Sequence, residues 1–297
     1  MKSAIVMASI LLAGNSIAGQ TAKLSDWPGL LDKKKVADAK ALCDRYAVSK
    51  LISEQVEAQK CLANVALSGN DQMLIEKDDA GGGTLRDSYS PASVDQALQH
   101  LNLGIELAPQ DLSIHQGRLH VLEMAGRYDD MVKALDESAT TYKGQDALQA
   151  WLAYASELSD LRQYQAGLDF MKVLDKHYPG SPDVLGNIGA FLDMLGKDRE
   201  AMPYLKRAVE LAPKDPINAW DLARAYDFAG QTELADQWYH KALELMTDAD
   251  QLKQSRCLYA KFVEKKLKDR TRACALQKGN CETGAQTACS ESSAQTP

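Results

Sequence analysis

The sequence predicts an all-α fold built from antiparallel helical hairpins set side by side. Three observations predict it. The composition is 45% apolar but only 6% aromatic, with nine prolines in 297 residues; this suits a helix-rich chain, and strand patterning is weak throughout. "GIELAPQD" at 104–111 and "AVELAPKD" at 208–215 nearly repeat each other, and "KALEL" at 241–245 is a third partial copy. Laying 182–215 over 216–249 gives an offset of 34 residues that pairs Gly189 with Ala223, Gly196 with Gly230 and Ala201 with Ala235. A fixed period of that length marks a repeat array.

The chain opens with "MKSAIVMASILLAGNSIA", which carries Lys2, an apolar run from Ala4 to Leu12, and Ser16 and Ala18 at the small positions before a cleavage point. This is the pattern of a secretory signal peptide over 1–18, cut after Ala18. The run falls short of the ~20 residues a spanning helix needs, and no later segment reads as a span. The expectation is a mature chain that is periplasmic or secreted, with no transmembrane segment. Its formal charge is −7, or −8 once Lys2 is removed. A phosphate backbone is repelled by that balance, so nucleic acid is not an expected partner.

Residues 19–91 read as an N-terminal helical region with a glycine-rich loop. Cys43 and Cys61 stand 18 residues apart; on one unbroken helix they would be about 27 Å apart, beyond the reach of a disulfide. A turn near "SKLIS" places them equidistant from Ile52 on facing helices. A Cys43–Cys61 bridge stapling a helical hairpin is therefore expected, with Ser53 as the candidate N-cap of the second helix. "EKDDAGGGTLRDSYSP" at 76–91 reads as a loop. Residues 92–109 then form a helix ending in "ELAP", paired with the helix near 53–69.

Over 182–249 small residues stand where two antiparallel helices must approach closely, as at Gly189, Ala223, Ala208 and Ala242, while Leu192, Tyr226, Leu205 and Tyr239 fill the space between. Gly196 and Gly230 fall where the first helix of each pair stops. Pro213 ends the second helix and Asp215 starts the next. These residues resemble the tetratricopeptide repeat (TPR) family, whose 34-residue unit has a small residue in mid first helix, a glycine at the turn and alanines in the second helix. The resemblance implies a right-handed superhelical solenoid over 92–249, with units at 112–147, 148–181, 182–215 and 216–249. Unit 148–181 keeps Trp151, Ala155, Gly167 and Pro179 but has Leu174 for the usual alanine and no glycine at its turn. Unit 112–147 is two residues longer; Gly126 and Tyr128 are in place, while Leu119 and Met131 occupy small positions and imply wider packing.

"DADQLKQSRCLYAKFVEKKLKDR" places Leu252, Leu258, Phe262, Val263 and Leu267 at helical spacing among charges. This is a capping helix over 250–272, which gives the array a polar end. A cysteine-containing, partly disordered tail is expected over 273–297. Six cysteines in an exported chain are expected to form disulfides. With Cys43 and Cys61 paired, Cys257, Cys274, Cys281 and Cys289 remain, and Cys257 is expected to join Cys281 or Cys289 once the chain folds back. The tail cysteines are separated by six and seven residues with no histidine near. No metal site is expected from them.

Catalysis finds no local motif. His100, His115, His120, His177 and His240 are scattered, and His115 and His120 fall on different sides of a helix. "DAGGGTL" lacks the lysine of a phosphate-cradling loop, and no serine sits in a nucleophile elbow. No cofactor is expected. The chain reads as a non-enzymatic scaffold or adaptor that binds another cell-envelope or secreted protein or peptide; the alternative is an accessory subunit or cryptic enzyme in envelope polymer or protein maturation. In the TPR resemblance, first-helix residues that do not pack inward line a concave groove. They are Asn187, Asp193 and Met194 from one unit, and Trp220, Asp221, Arg224, Asp227 and Phe228 from the next. Relatives that clamp a peptide carboxylate use lysines and asparagines there; Asn187 fits, but the lysines are missing and Arg224 is a partial substitute.

Overall fold

The structure is a computed structural model that describes residues 23–68, 72–77, 79, 81–278 and 281. The expected signal peptide, and most of the tail including Cys289, lie outside these residues. A 3-10 turn, Leu24–Asp26, leads into α1 (Trp27–Asp32), α2 (Val36–Ala47) and α3 (Ile52–Leu67). Cys43 and Cys61 are buried and bridged, with Cα atoms 6.1 Å apart, which closes α2 against α3 around Leu24, Ala58 and Leu62. The second helix starts one residue before Ser53, at Ile52, so Ser53 is not its cap. Ser49 serves that end instead: its hydroxyl accepts from the Leu51 amide at 3.1 Å and contacts the Glu54 carboxylate.

The glycine-rich insert, expected as a loop, is a small β-hairpin set in the otherwise helical fold. β1 (Gln72–Lys77) and β2 (Gly83–Ser88) pair antiparallel, with Gln72 opposite Ser88 and Lys77 opposite Gly83. The glycines cluster at the tip, where a hairpin must reverse, while "MLI" and "TL" supply strand-forming residues on either side. Past this hairpin comes α4 (Pro91–Leu107), whose Ser90 cap accepts from the Ser93 amide. It packs on α3 through Val56, Ala63, Val94, Ala97 and Leu101.

Eight further helices follow as four hairpins: α5 (Leu112–Met124) with α6 (Tyr128–Thr141), α7 (Gln145–Asp160) with α8 (Tyr164–His177), α9 (Pro182–Met194) with α10 (Asp198–Leu211), and α11 (Pro216–Phe228) with α12 (Thr232–Leu245). Their starts follow from side-chain caps. Asp111, Ser181 and Asp215 accept from backbone amides of the first turns of α5, α9 and α11, and Pro182 and Pro216 occupy first positions where no amide is needed. Their stops follow from left-handed residues: Gly126, Gly196 and Gly230 have φ of 66°, 70° and 72°. In the unit without a turn glycine, Arg162 takes the same conformation, φ 56°. One continuous apolar core runs from α5 to the C-terminal cap, with Trp151, Phe170, Met171 and Leu174 fully buried. Gly167 is required there because a Cβ would collide with the Phe191 ring of the next unit.

The cap is two helices rather than one. α13 (Ala249–Phe262) passes through a π-helical turn, Val263–Leu267, to left-handed Lys268 and then α14 (Arg270–Gln277). Phe262 and Val263 are buried as expected, but Leu258 is 53% exposed and Tyr259 takes its inward place at 1%. Tyr259 packs on Tyr239 and Phe262, and its hydroxyl bonds to Asp236, which also holds Arg272. The fold-back brings Cys257 onto Cys281 in a second disulfide; Cys274 is disulfide-bonded as well. Among the described residues no helix is long and apolar enough to cross a membrane.

Candidate binding groove

The left-handed turn residues give each hairpin a common reference. Six positions before them stand His120, Ser156, Ala190 and Arg224; three positions before them stand Glu123, Ser159, Asp193 and Asp227. Both rows lie on the first helices α5, α7, α9 and α11. They trace one face of the array, and shallow cavities open along it. One of about 170 Å³ is lined by Leu152, Ser156 and Ser159 of α7 and by Asn187, Ala190 and Met194 of α9. A neighbouring one of about 200 Å³ is lined by Asp183, Asn187, Asp215, Ile217 and Asp221.

The residues read from the sequence divide into two groups here. Asn187, Met194 and Asp221 line the cavities, and Phe228 stands 62% exposed at the end of α11. The others are engaged within the chain. Arg224 Nη2 meets Asp193 Oδ2 at 2.5 Å and its Nη1 lies 3.7 Å from Asp221 Oδ1. Trp220 packs edge-on to Tyr239 with ring centroids 4.7 Å apart. Asp227 pairs with Lys266 of the cap's π-helical turn at 3.0 Å. Arg224 is thus tied up and does not stand as a free anchor for a carboxylate.

Two carboxylates sharing one guanidinium in a half-closed site are costly to ionise together. Burial raises the Asp193 carboxyl above its ordinary range, against the pull of Arg224. Burial likewise pushes Asp221 up to about 7, again outweighing Arg224, with Asp193 and Asp215 adding repulsion. The groove over α9 and α11 is acidic, with Asp183, Asp215 and Asp221 facing one cavity.

Sequence reasoning missed the α7 contribution of Leu152, Ser156 and Ser159, which two 34-residue steps back from Trp220, Arg224 and Asp227 would have found. It also missed a cavity at the N-terminal end of the array. A cleft of about 680 Å³ lies between α1, α3 and α5, lined by Trp27, Leu31, Lys60, Asn64, His120 and Met124, among others. Trp27 is fixed there by its indole Nε1, which donates to Glu57 Oε1 at 2.8 Å. No sequence period marks α1, so only the tertiary fold reveals that wall.

Three other histidines are held by hydrogen bonds within the chain. His115 is buried, with Nδ1 2.9 Å from the Ser138 hydroxyl and Nε2 3.1 Å from the Pro109 carbonyl, and burial lowers its pKa. His100 meets Gln59 at 2.8 Å, and His177 meets Asp136 at 2.5 Å.

Stacked antiparallel hairpins with a left-handed residue at each inner turn define a helical-repeat solenoid, a scaffold architecture associated with protein–protein interaction. Residues 182–215 match the family model of the tetratricopeptide repeat. That match covers one unit of the array, and the hairpins on either side of it share its architecture. Among solved structures it resembles the C-terminal part of a TPR repeat-containing protein from Cytophaga hutchinsonii, with a TM-score of 0.54 at 12% identity over 92% of this chain and 100% of that one. PilF of Pseudomonas aeruginosa aligns with a TM-score of 0.44 at 15% identity, over 67% of this chain and 90% of that one. YrrB, described as a TPR protein with an unusual peptide-binding site, gives 0.44 at 15% identity, over 64% and 97%. No curated protein matches the chain in sequence.

Proposed function

We propose that this chain is an exported, non-catalytic TPR adaptor whose groove holds an extended, basic segment of another envelope or secreted protein. The observation that carries the reading is the make-up of the face over α7, α9 and α11: Asp183, Asp215 and Asp221 around one cavity with apolar Leu152, Met194 in the neighbouring cavity, and Phe228 exposed at the far end of α11. Such a surface favours cationic side chains on a segment that also brings an apolar anchor. The acidic groove also repels nucleic acid. All five described cysteines are disulfide-bonded, which supports an oxidising compartment.

The test is capture from envelope extract on immobilised wild type and on the double variant Met194→Ala, Phe228→Ala, with circular dichroism as the folding control. Recovery of a specific partner should fall at least fivefold in the variant and weaken with added salt. Equal recovery from both proteins removes the groove assignment. Turnover of cell-wall glycan or peptide by the purified chain alone would favour the enzymatic alternative.

A further inference from the structure

Beside the 680 Å³ cavity that His120 lines, three ligand-bearing side chains converge from two neighbouring first helices. His120 and Glu123 stand at i and i+3 on α5, one on each of the two groove-facing rows, and Glu157 faces them from α7. One donor atom from each lies within 4.8 Å of the other two, and His120 Nδ1 is 3.6 Å from Glu123 Oε2. Glu123 is only 5% exposed, whereas His120 and Glu157 are exposed.

We propose that His120, Glu123 and Glu157 form a binding site for a divalent transition ion of the zinc type on the wall of the groove. An imidazole with two carboxylates is a donor set that such ions accept, at bond lengths of about 2.0–2.2 Å. Donors around an ion at that distance stand roughly 3–4 Å apart, slightly closer than here. The exposed His120 and Glu157 side chains can rotate to close the difference, while buried Glu123 stays fixed as the platform. Two carboxylates brought this close to each other and to an imidazole favour a cation between them. An ion held by three protein ligands keeps open positions toward the cavity. A partner's side chain or water completes the shell, so the ion would join a bound segment to α5 and α7. This assignment does not depend on the acidic stretch farther along the groove.

Calorimetric titration of the full oxidised chain with Zn²⁺ tests it. Wild type should show one saturable site and a rise in melting temperature on loading. His120→Ala and Glu157→Gln, both changes to exposed side chains, should each weaken binding at least tenfold and abolish the melting shift. His240→Ala, which removes the exposed histidine paired with Glu244 at 3.3 Å, should leave both unchanged. No saturable binding by wild type, equal affinity in the His120 and Glu157 variants, or loss confined to the His240 variant would overturn the assignment.

Discussion

Arg162 holds the backbone conformation that glycine holds at three equivalent turns. For a residue with a Cβ this left-handed state costs about 1–2 kcal/mol, partly offset because glycine loses more freedom on folding, about 0.5–1 kcal/mol. Arg162→Gly should therefore stabilise the chain by roughly 0.5–1 kcal/mol, seen as a higher denaturation midpoint with an unchanged slope; a lower midpoint would mean that the arginine side chain contributes more than its strain. Asp221 supplies a second test. Its folded pKa, about 7, lies above the unfolded carboxylate value, so the folded state holds the proton more tightly. Stability from this group is full below about pH 4 and is lost as pH rises towards 7. Asp221→Asn should gain stability relative to wild type as pH goes from 4 to 8, by up to a few kcal/mol, and thermal melts across that range would show it. A difference that is flat or falls with pH would contradict the burial assigned to this carboxyl. The sequence located Asp221 and Arg224 by register, because a 34-residue step repeats positions. It did not show that Arg224 is already paired with Asp193, because that contact joins two units and depends on side-chain reach.

The first helices and their turns were legible because periodicity, caps and turn glycines all agree. The β-hairpin was not, because a glycine run reads as a loop whether it is a linker or the tip of two strands. The hairpin has a task that no local pattern announces. Its tip crosses the edge of the array, where the Asp79 amide donates to the Arg162 carbonyl at 3.0 Å and the Asp79 carboxylate accepts from the Gln165 amide at 2.7 Å. Gln163, the residue at the cap position of α8, offers no side-chain cap. Asp79 thus caps that helix from 86 residues away, where a negative group is favoured. Asp79→Ala should cost about 0.5–2 kcal/mol and speed proteolytic cleavage within 72–88; unchanged stability and cleavage would show that the contact does not hold the hairpin. Leu258 was misplaced for a similar reason. Helical spacing gives a face but not which neighbour fills it, and Tyr259 fills it by reaching Asp236.

At the scale of the whole molecule, stacking four hairpins aligns four first helices, and the groove exists only as their sum. Cys43–Cys61 closes one end and the folded-back cap, held by Cys257–Cys281, closes the other. Between these ends the first helices change character, from a cleft lined in part by His120 to an acidic stretch at Asp183, Asp215 and Asp221. The most direct test of the central claim, that this face and not the outer one engages a partner, is site-specific photo-crosslinking in envelope extract. A photoreactive residue placed at Phe228 should give a discrete adduct. The same residue placed at Glu210, whose side chain is 64% exposed on the outer helix α10, should give none. Adducts of equal yield from both positions, or from Glu210 alone, would contradict the groove as the site of binding.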